Sequence, residues 1–472
     1  MLRRLIAAVV LFIPAAAAAQ GAVPAAQVDR VFAQWNTSTP GCAVGVSVAG
    51  KPVLTRAYGM ADLEHGVPNT AETIFESGSV AKQFTAAAVL LLAREGKLSL
   101  DEEVRKYIPE LPDYGTPLTI RQMLTHTSGL RDWGSVAAIG GWPRGLRSHT
   151  QAHVLDIVSR QRALNFTPGT RYSYTNTGYN LAAILVSRVS GMPFAEFTKR
   201  RIFEPLDMSH SSWRDDFARV VKGRAIAYSP QGDGYRQDMP FENAHGNGGM
   251  LTTVGDLLKW TTNFASPKVG DAAFVRQQVE PGRFSDGRAH GYAMGVIVGS
   301  YKGVREINHG GATAGYRTQL NLYPDQGVAV VVLCNVANAN PPAAASAVGD
   351  LYLAGSLTTP AAPPQTQSPK VSPVQPTRAQ LEELAGTYAS DEAEASMIAA
   401  VEDGVLVLKR RPATTIRLAP ASAIDVFDAP GLGVVTFRRD ATGRVTEFSV
   451  TQERVWDLRF ERAESPASTA QN

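Results

Sequence analysis

The chain has 472 residues, of which 44% are hydrophobic and 19% are charged, and its formal net charge is +3. This composition is that of an ordinary globular protein and excludes a disordered or fibrous chain. The length exceeds one typical domain, which predicts two domains or one large domain with an appendage. The small net charge predicts no nucleic-acid partner.

The first 19 residues have the pattern of a secretory signal peptide. Arg3 and Arg4 precede an apolar run that ends in alanines. We predict cleavage near Ala19, a periplasmic or secreted location, and a formal charge of +1 once both arginines are removed. A membrane anchor is the alternative, but an apolar run of about 15 residues is shorter than the ~20 that a spanning helix needs. We therefore expect no stable membrane insertion.

Two cysteines lie far apart in strand-like runs, Cys42 in GCAVGVSVAG and Cys334 in AVVVLCNV. An exported chain permits a disulfide between them. Two cysteines do not make a disulfide framework, however, so the sequence favours two separately buried thiols.

Residues 75–92 read FESGSVAKQFTAAAVLLL, which predicts a buried helix because nearly every face is apolar. Ser79 and Lys82 stand three positions apart near its start, so their side chains point the same way. Burial lowers the pKa of a lysine, which can then help to remove the serine proton. The helix N-terminus would stabilise an oxyanion. A second interpretation stays open at this point, namely a serine N-cap followed by a lysine that reaches solvent.

Three potential metal ligands follow in SHTQAHVLD. His149, His153 and Asp156 are spaced so that all three could face one way on a helix, as in some zinc sites. We favour a solvated helix face and expect neither a metal nor a cofactor.

Two further motifs add weight to the Ser-x-x-Lys pattern. Tyr174-Thr175-Asn176 precedes an amphipathic helix, and His309-Gly310-Gly311 ends a strand-like run. With MLTHTSGL, IFEPLDM and GNGGMLTTVGDLLKW, these motifs resemble the class C β-lactamase-like serine hydrolases, a group that includes penicillin-binding proteins, D-stereospecific peptidases and esterases. The resemblance runs from about residue 28 to residue 355.

The resemblance implies the parts of an acyl-transfer site. Ser79 would be the acylated nucleophile, and Lys82 would be its partner in proton transfer. Tyr174 would be the general base, with Tyr172 as the competing candidate. The backbone N–H groups of Ser79 and Ala312 would form the oxyanion hole.

The remaining motif residues would bind the substrate. Asn176 would hydrogen-bond a substrate amide, and His309, Gly310 and Gly311 would line the substrate site. Related β-lactamases usually have a lysine at the position of His309, where it meets the substrate carboxylate. A neutral imidazole offers no dependable cation above its usual pKa near 6.5. The histidine is similar to the His-x-Gly variant of D-peptidases and related amidases or esterases.

The expected function is therefore that of an exported serine hydrolase. It would cleave small peptides or amides with D-residues through an acyl-enzyme on Ser79. An esterase or a β-lactamase of the same group is one alternative. A penicillin-binding or sensor protein with negligible turnover is another, because deacylation depends on how a water is positioned.

The order of the predicted elements gives the domain organisation. Strand-like pieces at both ends of residues 20–355 enclose helical patterns, which predicts an α+β domain with an antiparallel sheet; the resemblance implies a β-lactamase/transpeptidase-like fold. Residues 356–380 are rich in Pro, Ser, Thr and Gln and predict a linker. Short strands over residues 381–463 predict a small antiparallel β-barrel, and residues 464–472 a disordered tail.

Overall fold

The computed structural model of the chain describes residues 23–358 and 373–463. The predicted signal peptide and the predicted tail lie outside the described residues, as do residues 359–372 of the predicted linker. The domain boundaries and the leader stay predictions.

The helices of the described residues are α1 Ala25–Val31, α2 Lys82–Arg94, α3 Ile120–Leu124, α4 Trp133–Ile139, α5 Gln151–Ser159, α6 Thr177–Ser190, α7 Phe194–Thr198, α8 Val254–Asn263, α9 Ala272–Gln278, α10 Pro341–Leu353 and α11 Arg378–Glu383. Short 3₁₀ turns lie at Gly78–Ala81 and Val104–Lys106, and a π-helical turn lies at Lys199–Phe203. Within the described ranges, we find no helix whose length and apolar character would let it span a membrane.

The strands of the first described range are β1 Cys42–Val48, β2 Lys51–Tyr58, β3 Met60–Asp62, β4 Val67–Pro68, β5 Phe75–Glu76, β6 Ser212–Trp213, β7 Tyr228–Gln231, β8 Gly234–Gln237, β9 Met250–Thr252, β10 Ile297–Tyr301, β11 Val304–Thr313, β12 Tyr316–Tyr323 and β13 Val328–Cys334. Six of them form the main antiparallel sheet in the order β10-β11-β12-β13-β1-β2. This sheet joins the two ends of the region, as the sequence predicted.

The centre of the main sheet is buried on both faces. Strand β13 is buried along its whole length, because alternate residues point to opposite sides and helices cover both sides. Val331 and Leu333 join the core that contains α8, while Val330 and Val332 join the core beneath α10. Helix α2, which is buried from Lys82 to Leu92, lies within the first of these cores.

The two cysteines correct one interpretation of the sequence. Strands β1 and β13 pair antiparallel with Cys42 directly opposite Cys334, and the Cα atoms are 4.0 Å apart. The two residues form a disulfide. The favoured interpretation of two separate thiols is wrong. The pairing depends on the register of β1 against β13, which the residues around each cysteine do not reveal.

The second described range forms one further sheet, with strands β14 Gly386–Ser390, β15 Ala395–Glu402, β16 Val405–Arg410, β17 Thr414–Arg417, β18 Ala419–Pro420, β19 Val426–Ala429, β20 Gly433–Arg439, β21 Val445–Gln452 and β22 Val455–Arg462. Their order is β17-β16-β15-β14-β22-β21-β20-β19-β18, a nearly closed barrel. The aromatic rings of Tyr388, Phe437, Phe448 and Phe460 pack inside it. The predicted fold class, an α+β domain followed by a small β-barrel, is confirmed.

The barrel docks directly on the helical region. Val136 and Ile139 of α4 belong to the barrel's own apolar core. Beside them, the guanidinium of Arg131 forms an ion pair with Glu392 (2.8 Å) and donates to the backbone oxygen of Trp456 (2.8 Å). Apolar packing and a nearly buried ion pair therefore position the hairpin β21–β22 against the residues that precede α4.

Candidate active site

A close approach of strand β11 shapes the turn that leads into α2. Ser79 lies in the 3₁₀ turn, and Lys82 is the first residue of α2. Gly78 has a φ of +52°, and a Cβ added to it would lie 2.6 Å from the backbone nitrogen of Ala312. Glycine permits this conformation and this contact, whereas a side chain would clash. The turn therefore places Ser79 beside the third motif.

The amine of Lys82 lies at the centre of the site and is completely buried. Its Nζ donates hydrogen bonds to Ser79 Oγ (3.0 Å), Asn176 Oδ1 (2.9 Å) and the backbone oxygen of Asn247 (2.7 Å). Burial lowers the pKa of Lys82 well below its ordinary value, against the opposing charge of Asp132. In its neutral form the amine keeps two N–H bonds, which suffice for the two carbonyl oxygens, and its lone pair can then accept the proton of Ser79. The interpretation of a lysine that reaches solvent is wrong.

Tyr174 stands next to this pair. The Nζ of Lys82 lies 4.9 Å from the centroid of the Tyr174 ring. Burial raises the pKa of Tyr174, while a hydrogen bond with the Ser79 hydroxyl acts in the opposite direction. The side chain of Tyr172 is 39% exposed and packs against His126 instead. The structure thus brings Tyr174, rather than Tyr172, to Ser79 and Lys82.

Asn176, the last residue of the middle motif, forms hydrogen bonds with Asp132 and Lys82. It immediately precedes α6, and its backbone N–H donates to the carboxylate of Asp132 (2.7 Å). Its side-chain oxygen is occupied by Lys82, and no described residue accepts a hydrogen bond from its Nδ2. That N–H₂ group lies at the cleft, where it can donate to a substrate carbonyl.

His309 is a neutral residue in this structure. It is buried on β11, its Nδ1 lies 2.6 Å from the backbone oxygen of Gly310, and its Nε2 lies 3.0 Å from the hydroxyl of Tyr292. Burial, with help from the nearby Lys82, lowers the pKa of His309 to about 4. Because a carbonyl oxygen only accepts, Nδ1 carries the proton and Nε2 accepts from Tyr292. The third motif therefore supplies no cation at neutral pH.

Two backbone N–H groups meet where β11 touches the turn. A Cβ added to Gly311 would lie 2.1 Å from the backbone oxygen of Ser77 and 3.1 Å from the backbone nitrogen of Ser79. Ala312 follows on the exposed side of the strand and lines the same cleft as Ser79. A pair of N–H groups in this arrangement can stabilise the oxyanion of an acyl-transfer intermediate.

These groups line one cleft of about 670 Å³, large enough for a small-molecule substrate. The predicted site residues found there are Ser79, Tyr174, Asn176, His309, Gly310, Gly311 and Ala312. Lys82 lies beneath them. Glu453 and Arg454, from the tip of the barrel hairpin β21–β22, line the same cleft.

The motif search missed several residues of the site. Asn247 contributes only a backbone oxygen, although it lies inside the glycine-rich stretch that the sequence analysis singled out. Asp132 and Tyr292 carry no motif. His126 accepts from the backbone N–H of Thr175 (3.2 Å) and packs 4.2 Å from the ring of Tyr174. Its place in MLTHTSGL was the available signal.

Of the three spaced ligands, His149 precedes α5, while His153 and Asp156 lie on it, and within the described residues the three do not bring their ligand atoms together as one group. The Nε2 of His149 lies 3.3 Å from the backbone oxygen of Trp142. The Nδ1 of His153 accepts a hydrogen bond from the backbone N–H of Thr150, the residue that caps α5. Within the described ranges, the one group with metal-ligand proximity consists of Asp62, Glu64 and His65, mostly exposed and far along the chain from this helix.

Comparisons with known proteins place the chain among relatives of one family. Residues 28–354 match the family model described as Beta-lactamase. A D-aminopeptidase of Brucella canis is 31% identical over 304 residues, which cover 64% of this chain and 57% of that protein. A D-aminopeptidase of Brucella anthropi is 29% identical over the same number of residues. The matched region therefore spans 57% of the length of these curated relatives.

Solved structures share the fold at low sequence identity. The octameric penicillin-binding protein homologue from Pyrococcus abyssi has a TM-score of 0.61 and 23% identity, covering 92% of this chain and 97% of that one. A D-amino acid amidase from Ochrobactrum anthropi SV3 has a TM-score of 0.58 and 22% identity, covering 70% and 97%. With the family model matching more than half of the residues, the chain belongs to the Beta-lactamase family.

Proposed function

We propose that this chain is a serine hydrolase that cleaves an amide bond through a covalent acyl-enzyme on Ser79. The observation that carries the proposal is the hydrogen bond of 3.0 Å between the buried amine of Lys82 and the Ser79 hydroxyl. Burying a lysine costs free energy, and a lysine with a strongly lowered pKa beside a cleft is a candidate for a functional role. Activation of a nucleophile is such a role.

In the acylation step, Ser79 Oγ attacks the substrate carbonyl carbon while its proton passes to the Lys82 and Tyr174 pair. The carbonyl oxygen becomes an oxyanion and accepts hydrogen bonds from the backbone N–H groups of Ser79 and Ala312. The pair then returns the proton to the leaving nitrogen, and the carbon–nitrogen bond breaks. An amine leaves, and an ester remains on Ser79.

Deacylation repeats the same proton path with water. A water molecule attacks the ester carbon, its proton passes to Tyr174 or Lys82, and the serine oxygen recovers a proton as the acid leaves. Asn176 would hold a substrate carbonyl through its Nδ2 during both steps. Neither step uses a metal or a cofactor.

The substrates that we propose are small amides or peptides with a D-residue. Two observations support them: curated relatives at 31% and 29% identity are D-aminopeptidases, and His309 is neutral where a carboxylate-binding lysine would stand in a β-lactamase. The proposed location is outside the cytoplasm. The disulfide between Cys42 and Cys334 supports it, because cytosolic thiols are kept reduced.

The test is a substrate panel on the purified chain and on Ser79→Ala. The panel contains D-alanyl p-nitroanilide and its L-isomer, a D-Ala-D-Ala dipeptide, p-nitrophenyl acetate and a chromogenic cephalosporin. We expect turnover of the D-amide above the L-amide, and no turnover by the variant.

Other results of the substrate panel would indicate a different activity. Ester turnover alone would make the chain an esterase, and efficient cephalosporin turnover would make it a β-lactamase. Stable acylation of Ser79 without turnover would indicate a penicillin-binding or sensor protein. Equal activity of the variant and the parent would overturn the assignment of Ser79.

A further inference from the structure

The barrel contributes a cation, Arg454, to the cleft. The third motif contributes none, because His309 is neutral. Arg454 lies at the tip of the hairpin β21–β22, and its guanidinium carbon lies 4.9 Å from the centroid of the Tyr174 ring. Its side chain is 35% exposed, and it lines the cleft. His309 is neutral at the position where related β-lactamases usually have a lysine.

The hairpin tip is held in place through its backbone. The backbone oxygen of Arg454 accepts from the N–H of Asp132 (3.2 Å) and from Asn165 Nδ2 (3.2 Å). Asn165 in turn accepts from the N–H of Trp456 (2.8 Å). Asp132 is the residue whose carboxylate holds the backbone of Asn176. The tip is therefore fixed to the same segment that positions the middle motif.

The charge of Arg454 is only weakly neutralised. Within the described part of the chain, its one ion-pair partner is its neighbour Glu453, at 3.8 Å, and the side chain of Glu453 is 83% exposed. A cation over the face of a tyrosine ring is attracted to the ring, and it favours the anionic form of the phenol more strongly still. The guanidinium is thus positioned to act on Tyr174.

We propose that Arg454 is a positioning residue from the appended barrel, which stabilises the phenolate of Tyr174 and so promotes transfer of the Ser79 proton. This inference rests on the proposed function in taking Tyr174 as the proton acceptor. The phenol of Tyr174 first passes its proton to the neutral amine of Lys82, which leaves a phenolate. During acylation the O–H bond of Ser79 breaks and the phenolate oxygen takes the proton, Ser79 Oγ bonds to the acyl carbon, and the bond from that carbon to the leaving group breaks as the pair supplies the leaving group with a proton.

Other charged and titratable groups face Tyr174 from the segments packed around it. They are Lys82 of α2, Asp132 before α4, Tyr172 of the same loop, the histidines His126 and His309, and the phenols of Tyr179 and Tyr292. Burial lowers the pKa of both histidines and raises the pKa of the three phenols. None of these five groups adds a cation at neutral pH, so Arg454 and any protonated Lys82 supply the positive charge.

The test is the pH dependence of the acylation burst with p-nitrophenyl acetate, in the intact chain and in Arg454→Gln. Loss of the cation should raise the apparent pKa of the burst rate by about half to one unit, and slow the burst three- to tenfold at pH 7. Arg454→Lys should restore most of the rate. Glu453→Gln should move the apparent pKa in the opposite direction, since it removes the anion that offsets Arg454.

Two controls separate this effect from general damage. Arg459→Gln removes an exposed arginine of β22 that pairs with Asp457, and it should leave the burst profile unchanged. High salt on the unmodified chain should reproduce part of the Arg454→Gln shift, because the guanidinium is partly exposed.

The outcomes also separate this inference from the proposed function. An Arg454→Gln profile that matches the parent would overturn the inference while Ser79 chemistry stands. An unchanged profile combined with a raised KM only for carboxylate-bearing substrates would assign Arg454 to substrate binding instead. Absence of any burst that depends on Ser79 would overturn the proposed function itself.

Discussion

At the scale of single residues, the site depends on two side chains, Lys82 and Tyr174, whose pKa values burial shifts in opposite directions. Lys82 is driven towards its neutral form and Tyr174 towards its protonated form. A proton shared between them belongs to the pair, so the rate of acylation should rise with pH through one apparent pKa. The hydrogen bond from Lys82 to Ser79 gives this pair direct access to the nucleophile.

Replacing Tyr174 by Phe should slow acylation about a hundredfold or more, because the proton loses its acceptor while the ring is retained. Tyr172→Phe is the matched control, since Tyr172 lies on the same loop and outside contact with Lys82. Its effect should stay within about threefold. Burst kinetics with an activated ester measure both, and an equal loss in the two variants would refute the assignment of Tyr174.

Lys82 should also make the stability of the fold depend on pH. In the unfolded chain its pKa is near 10.5, whereas burial lowers it in the folded chain. Between these two values the unfolded state binds one more proton, so this group makes the free energy of unfolding rise with pH, by at most about 1.4 kcal/mol per pH unit.

Urea unfolding of the parent and of Lys82→Met measures this effect. Between pH 7 and pH 9 the parent should gain stability relative to the variant, because methionine does not titrate. A difference that stays constant over this range would mean that Lys82 is charged in the folded chain.

Much of the residue-scale picture could be predicted from the sequence. Ser79, Tyr174 and His309 stand in ordered motifs, and the structure gathers them in one cleft. The neutral state of His309 follows from its burial and from the nearby Lys82, and neither can be derived from spacing along the chain. Asn247 could not be found either, because a backbone oxygen has no residue signature.

At the scale of elements, the contact between β11 and the turn before α2 sets the geometry of the oxyanion site. Gly311 packs on the backbone of Ser77 at a distance that leaves no room for a Cβ. The strand can therefore bring the N–H of Ala312 beside that of Ser79. The sequence predicted a strand and a helix here, but glycine content alone does not reveal which backbone approaches which.

Gly311→Ala should displace β11 from the turn and slow acylation about a hundredfold, because a misplacement of about 1 Å in a catalytic site can have that cost. Gly310→Ala is the control. A Cβ on Gly310 would meet the side-chain oxygen of Gln319 at 3.0 Å, and a side chain can move. Its effect should stay below tenfold in the same burst assay, and a larger loss in Gly310→Ala than in Gly311→Ala would contradict this account.

The disulfide shows where element-scale prediction stopped. Cys42 and Cys334 were each placed correctly in strands, but their pairing requires β1 to lie beside β13 in one particular register. Strand order and register are long-range properties that arise when distant segments fold together. Short-range patterns around each cysteine carry no information about them.

At the scale of the whole molecule, the barrel is part of the cleft. The sequence predicted the strands of the barrel, but no motif marks Arg454. That residue matters through its place at a hairpin tip beside another domain, and a lone arginine in a turn gives no such signal. The docking contacts through Arg131 and Glu392 decide where the tip lies.

Glu392→Ala should therefore weaken both stability and acylation. It leaves the buried guanidinium of Arg131 unpaired, which should lower the free energy of unfolding by about 3 kcal/mol. Asp391→Ala is the neighbouring control, because Asp391 and its partner Arg162 are both mostly exposed. Its effect should stay within about 0.5 kcal/mol. Denaturant unfolding and burst kinetics test both variants. If Glu392→Ala changed neither the free energy of unfolding nor the burst rate, the ion pair would not hold the barrel in place.

The measurement that tests the central claim most directly is intact-protein mass spectrometry of the chain, quenched in acid during turnover of a D-alanyl ester. The account predicts one added D-alanyl group, located on Ser79 by peptide mapping and absent from Ser79→Ala. Continued turnover without a covalent adduct, or an adduct on another residue, would contradict it.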